Sequence, residues 1–223
     1  MSGERHNFYK EIHKGIRTLA HSVTEQAGRT DFGDAEEVAR LRQAVERAFA
    51  VFESHAAHET AFITPVLQEY APSLAAESDA EHRAQELRLR DLRAALALAA
   101  GAGERAPALG HAFVVSLSRF VGEMLVHMAD EEERLMPALQ AALDDAALLG
   151  IHQALLASLP PEEKAQSVAL MLPALNAPER TEMLAGIRAV APPAAFVAMA
   201  DLARRVLPPA EWSRLERSLA AAA

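Results

Sequence analysis

Apolar residues recur at helical spacing through most of this 223-residue chain. Ile12, Ile16, Leu19 and Val23 mark a first helix from about Phe8 to Ala27, ended by Gly28. Val45, Phe49, Phe52, Phe62, Ile63 and Val66 predict a second, from just after Asp34 to about Tyr70, with Pro72 closing it. Ser78-Asp79-Ala80-Glu81 reads as a capping box that opens a third helix running through Leu89, Leu92 and Leu96 to Gly101. A fourth starts near Pro107, a good first-turn residue. Its stripe is Phe113, Leu117, Phe120, Met124, His127, Glu131, Arg134 or Leu135, and Ala138.

The texture changes at Asp144. Roughly five short helices are expected from there to about Ala222, punctuated by Pro160-Pro161, Pro173, Pro178, Pro192-Pro193 and Pro208-Pro209. Asn176 and Ala191 look like helix starts. The chain therefore divides into residues 1–143, expected to form an antiparallel four-helix bundle, and an all-helical extension over 144–223. The fold class is all-α. Alanine and leucine dominate a 51% hydrophobic composition with only 5% aromatics, which favours packed helices over sheets.

Two polar residues stand on the inward stripe of the fourth helix, His127 and Glu131. A bare imidazole and carboxylate in an apolar core are costly unless paired or metal-bound. The same pattern occurs earlier. His55 is followed by Glu59, Pro65 and Leu67-Gln68, as His127 is followed by Glu131, Pro137 and Leu139-Gln140. Positions i and i+4 share a helix face, so each pair can aim an imidazole and a carboxylate at one point. A lone histidine precedes each pair: His13 lies 42 residues before His55, and His82 lies 45 before His127. The first 143 residues thus read as two similar helical hairpins.

His13, His55, Glu59, His82, His127 and Glu131 make a six-ligand set of the kind that holds two metal ions inside a helical bundle. Glu59 and Glu131 are natural bridges, because a carboxylate can hold one ion on each oxygen. The chain has no cysteine, so thiolate sites and disulfides are excluded. Imidazole with carboxylate suits iron, manganese or zinc, and iron is the leading expectation. Pattern alone leaves Glu86, Tyr9, Arg17 and His58 open between partners of the site and ordinary surface residues. Pro65 and Pro137 each remove a helical hydrogen bond and predict a kink below each pair.

In these residues the chain resembles the hemerythrin-like, HHE cation-binding family. The resemblance covers about Tyr9 to Leu143. It implies a four-helix bundle with a non-haem di-iron centre bridged by two carboxylates. It also implies roles in oxygen binding, oxygen or iron sensing, nitric oxide handling or protection from oxidants. The pattern departs from that of the oxygen-carrying hemerythrins: Glu86 stands where those have a second third-helix histidine, and Glu131 follows His127 by four residues rather than five. More carboxylate makes a harder centre and favours higher oxidation states, which disfavours reversible oxygen carriage.

Three functions remain open on these residues. One is a protein that binds or senses oxygen, nitric oxide, another small oxidant or iron itself. Another is a di-iron oxidase or peroxidase-type enzyme acting on oxygen or peroxide. The third is a scaffold with a structural metal, disfavoured because six ligands with two bridges leave an ion short of six-coordinate. A net charge of −9 without a basic stripe argues against nucleic acid. No apolar run is expected to approach the ~18 residues of a membrane span, and Met1–Lys10 lacks an apolar signal core. The expectation is a soluble, cytoplasmic protein, with homo-oligomerisation through the C-terminal helices as an option. Residues 144–223 are expected to contribute no metal ligand.

Overall fold

The computed structural model describes residues 5–221. Residues 1–4 and the expected end of the last helix near Ala222 lie outside the described residues. The described chain is helical, with no strand. Its helices are α1 (Lys10–Arg29), α2 (Ala35–Phe62), α3 (Thr64–Tyr70), α4 (Pro72–Ala100), α5 (Ala106–Asp130), α6 (Met136–Ala142), α7 (Asp145–Ser158), α8 (Pro161–Ala174), α9 (Ala177–Val190), α10 (Pro193–Val206) and α11 (Pro209–Ala221). A 3-10 turn, Gly103–Arg105, precedes α5, and a π turn, Glu131–Leu135, joins α5 to α6.

Contacts divide the chain into two compact units. The first holds residues up to Tyr9 and Arg17–Leu155; the second holds Lys10–Ile16 and the chain from Leu156 onward. Helix α1 contributes to both.

In the first unit, Asp34 caps α2 by accepting hydrogen bonds from the Glu36 and Glu37 amides, as the start signal implied. The α2 helix breaks after Phe62, and α3 resumes at Thr64 with Pro65 in its first turn. Proline has no amide hydrogen and its ring collides with the carbonyl one turn back. Pro137 likewise stands in the first turn of α6, just past the π turn, where the Met136 amide donates five residues back to the Glu131 carbonyl. The helical hydrogen-bond pattern is therefore interrupted beside both prolines, in each case just after a His-x-x-x-Glu pair.

Helix α4 corrects the expected start of the third helix. It begins at Pro72, not at Ser78. Proline presets the first helical turn and no breaker follows it, so the helix runs through Ser78, whose side chain is buried. Helix α4 packs along α5, α2 and α3. Phe49 and Phe52 of α2 meet Phe120 of α5 with ring centroids 6.2 Å apart. Arg93 of α4 clamps Glu53 of α2 with both terminal guanidinium nitrogens, at 2.6 and 2.9 Å. Around these interruptions, Tyr9, Ile63, Leu67, Leu135, Met136, Leu139 and Leu148 form a separate apolar cluster.

The stretch Gly103–Ala142 is long and apolar enough to cross a membrane by length and composition alone. This corrects the expectation that no such run exists. Its apolar positions Phe113, Leu117, Phe120, Met124 and Met128 are buried among the other helices, which accounts for its composition as that of a core helix.

The second unit contains α8 to α11. The five helices from α7 onward start at 145, 161, 177, 193 and 209, each sixteen residues after the last. Prolines set this rhythm from α8 onward; Pro173, expected as another breakpoint, instead lies inside α8, in its last turn. The residue before a proline is pushed out of the helical region, and Ala191 and Leu207 are extended before Pro192 and Pro208. Asn176 opens α9 with a reciprocal capping box to Glu179. The core is Val168, Leu172, Leu184, Ala203, Leu207, Leu215 and Leu219. Buried Arg180 donates to the Leu172 and Pro173 carbonyls and pairs with Glu211.

Candidate metal centre

Polar side chains are scarce in the interior. Among the described residues the buried ones are His13, Glu59, His82, His127 and Glu131, together with Thr64, Ser78 and Arg180. Five of the six predicted ligands are therefore buried, and His55 is nearly so, with 17% of its side chain exposed.

They fall into two overlapping groups. His13, His55, Glu59 and Glu131 offer ligand atoms all within 4.8 Å of one another, and so do Glu59, His82, His127 and Glu131. Glu59 and Glu131 belong to both. The i, i+4 geometry delivers the local pairs: His55 Nε2 lies 3.1 Å from Glu59 Oε1, and His127 Nε2 lies 3.2 Å from Glu131 Oε1. Between helices, His82 Nε2 is 3.2 Å from Glu59 Oε2 and 3.8 Å from Glu131 Oε1. The His82 and His127 rings meet edge-on, with Nε2 atoms 3.1 Å apart.

A family model for the hemerythrin HHE cation binding domain matches residues 6–139. The chain belongs to this family. No curated protein and no solved structure matches it.

The donor set fits the cations of an HHE domain. Two carboxylates share one buried site with four imidazoles, and burying anions without compensation is costly. Burial and the facing Glu59 push the Glu131 carboxyl up; hydrogen bonds from His127 and His82 outweigh them and hold it below the ordinary carboxylate value. Burial pushes both of these rings down, but the carboxylates outweigh it. Glu131 and Glu59 lift His82 to about 10, and Glu131 and Glu81 raise His127. Protons thus take the place that a cation would take between these groups. Tyr9, buried one turn before His13, is pushed well up by burial, then by Glu59 and Glu131.

The neighbours left open by sequence separate cleanly. Arg17 pairs with Glu132 at 2.8 Å. Glu86 is exposed and stands in neither group, and half-buried His58 stands in neither. His21 Nδ1 donates to the Arg17 carbonyl of its own helix at 2.6 Å. His6 and His152 face each other at 3.1 Å, away from both groups.

Sequence reasoning passed over one contact. His127 Nδ1 donates to Glu81 Oε2 at 2.6 Å. The capping pattern assigns Glu81 to a helix start that does not form. The available signal was its place beside His82, which puts it on the flank of the same helix face.

Proposed function

We propose that this chain is a non-haem di-iron protein that binds oxygen, nitric oxide or another small oxidant. In this reading α1, α2 with α3, α4, and α5 with α6 form an antiparallel four-helix bundle. His13, His55, Glu59, His82, His127 and Glu131 would hold two iron ions, with Glu59 and Glu131 shared between them. Manganese and zinc are the competing occupants of the same donors. The observation that carries the reading is the overlap of the two four-residue groups through Glu59 and Glu131. Shared carboxylates between two imidazole-rich groups are what a pair of cations needs.

When bound, iron supplies redox chemistry toward a small oxidant. The protein's own contribution is to orient four imidazoles from rigid helices and to keep bulk water away from the carboxylates. His55 is the least buried ligand and marks the side nearest solvent. Four imidazoles and two bridging carboxylates supply fewer donors than two six-coordinate ions require, so room remains for a small ligand.

The test is metal analysis of untagged protein purified without added metal, read with its visible spectrum. The expected result is about two irons per chain, as a two-metal site requires, with oxo-to-iron charge-transfer bands that change on exposure to nitric oxide. Colourless protein carrying stoichiometric zinc overturns the redox reading.

A further inference from the structure

We propose that Glu81, a residue outside the ligand set, is the positioning residue that holds His127 in the form required of a metal ligand, with Nε2 turned to the site. The proposal rests on the metal reading above and extends it to one supporting side chain.

His127 Nδ1 and Glu81 Oε2 are 2.6 Å apart, the short distance of a charge-assisted hydrogen bond. A carboxylate oxygen accepts, so Nδ1 carries a proton. Nε2 is then turned to the site, where Glu131 Oε1 lies at 3.2 Å and His82 Nε2 at 3.1 Å; there it donates to Glu131 in the metal-free protein and would face a cation once its proton is displaced. The neighbouring ring lacks such support. Among the described residues, His82 Nδ1 faces only the Thr60 hydroxyl, at 3.5 Å, the outer limit of a hydrogen bond.

Position gives Glu81 the reach for this task. It lies on α4, across from His127 on α5. Its side chain is 47% exposed while that of His127 is 8% exposed, so the contact runs from the surface to a buried ring. Arg134 of the π turn brings positive charge to the same edge. It binds Glu77, one turn before Glu81, at 2.7 Å, approaches Asp130 at 3.7 Å, and feels Glu81 electrostatically. Carboxylates bonded to the far nitrogen of a ligating histidine fix its tautomer and orientation, and losing one costs about 10–100-fold in metal affinity.

The experiment compares wild type with Glu81→Ala, Glu81→Gln and the control Glu86→Ala, an exposed acid on the same helix. Side-chain nitrogen NMR of metal-free protein, carried to alkaline pH, reads which His127 nitrogen keeps its proton once the ring is neutral. Cobalt(II) titration against a chelator reads affinity, and thermal unfolding of the metal-free proteins reads stability. Wild type is expected to carry the His127 proton on Nδ1, and Glu81→Ala to show a tautomer mixture. Glu81→Ala should lose about 10–100-fold in affinity for one cobalt equivalent, with little change in melting temperature, and Glu86→Ala should match wild type. Should Glu81→Ala fail to fold, Glu81→Gln, of the same shape without the charge, carries the test with the same direction of change. A wild-type His127 protonated on Nε2 alone, or unchanged cobalt affinity in the Glu81 variants, overturns this proposal. Wild type that takes up no cobalt overturns the metal reading together with it.

Discussion

Glu131 Oε1 stands 3.2 Å from His127 Nε2 and 3.8 Å from His82 Nε2, so one buried carboxylate serves imidazoles from two helices. Its partner in this arrangement, Glu59, reaches His55 and His82. Each acid therefore joins a histidine of its own helix to the shared ring of His82.

Replacing Glu131 by Gln keeps the size and removes the charge. Two cations would lose half of their shared carboxylate compensation. Metal content is expected to fall well below about two per chain, and in metal-free protein the His82 and His127 pKa values should drop toward the ordinary imidazole range. Retention of both ions in Glu131→Gln would count against a bridging role.

How much of this was legible in sequence follows from which forces are local. His55–Glu59 and His127–Glu131 could be read because i, i+4 spacing fixes a shared face on any helix. The interruptions beside Pro65 and Pro137 could be read because each proline acts through its own missing amide. The start of α4 could not, because Ser78-Asp79-Ala80-Glu81 satisfies a capping pattern that a helix already running from Pro72 has no use for. The Glu81–His127 contact depends on the register of α4 against α5, which no spacing along the chain reports. The sixteen-residue rhythm from α8 onward was present in the prolines; Asn176-Ala177-Pro178 broke its regularity by shifting the proline one place, and Pro173 stood as a false breakpoint inside α8.

Gly110 tests the packing of α5. A Cβ there would fall 2.1 Å from Phe32 Cγ, and Phe32 is itself buried edge-on against Phe113. Gly110→Ala must displace the ring and should destabilise by about 1–3 kcal/mol. Gly122→Ala, on the same helix with nothing within 4 Å, should be neutral or stabilising by up to about 1 kcal/mol. Denaturant midpoints of the two variants distinguish a local clash from a general intolerance of the helix.

The His6–His152 pair makes stability depend on pH. Burial, and then the neighbouring His6, push His152 down to about 4. Burial also lowers His6, against the pull of Asp145. Arg5 binds the same Asp145 at 2.8 Å, and Phe8 packs on the His152 ring. An unfolded histidine titrates near 6.5, so between about 4 and 6.5 the unfolded chain binds more protons. The stabilisation is complete above about pH 6.5 and is lost as pH falls toward 4, a change on the order of 1–3 kcal/mol. Melting temperatures from pH 7.5 to 4.5 should fall more steeply for wild type than for His152→Gln. Parallel curves would show that the pair does not carry the effect.

Truncation tests where the first unit ends. Leu148 of α7 is fully buried in the cluster of Tyr9, Leu67 and Leu139 beneath the candidate metal centre, and Asp145 is the partner of Arg5 and of the His6 amide. A chain ending at Leu143 would strip both, exposing a large apolar side-chain site; loss of a buried leucine alone costs about 2–5 kcal/mol. A chain ending at Leu155 keeps them. Neither version loses any of the six candidate ligands. The Leu155 version should therefore fold with the higher melting temperature and take up metal like the full chain. The Leu143 version should be less stable and less soluble, with metal uptake recovered wherever it folds. Equal stability of the two would show that α7 does not belong with the helices before it, and a folded Leu155 chain that binds no metal would show that the later helices are needed at the site.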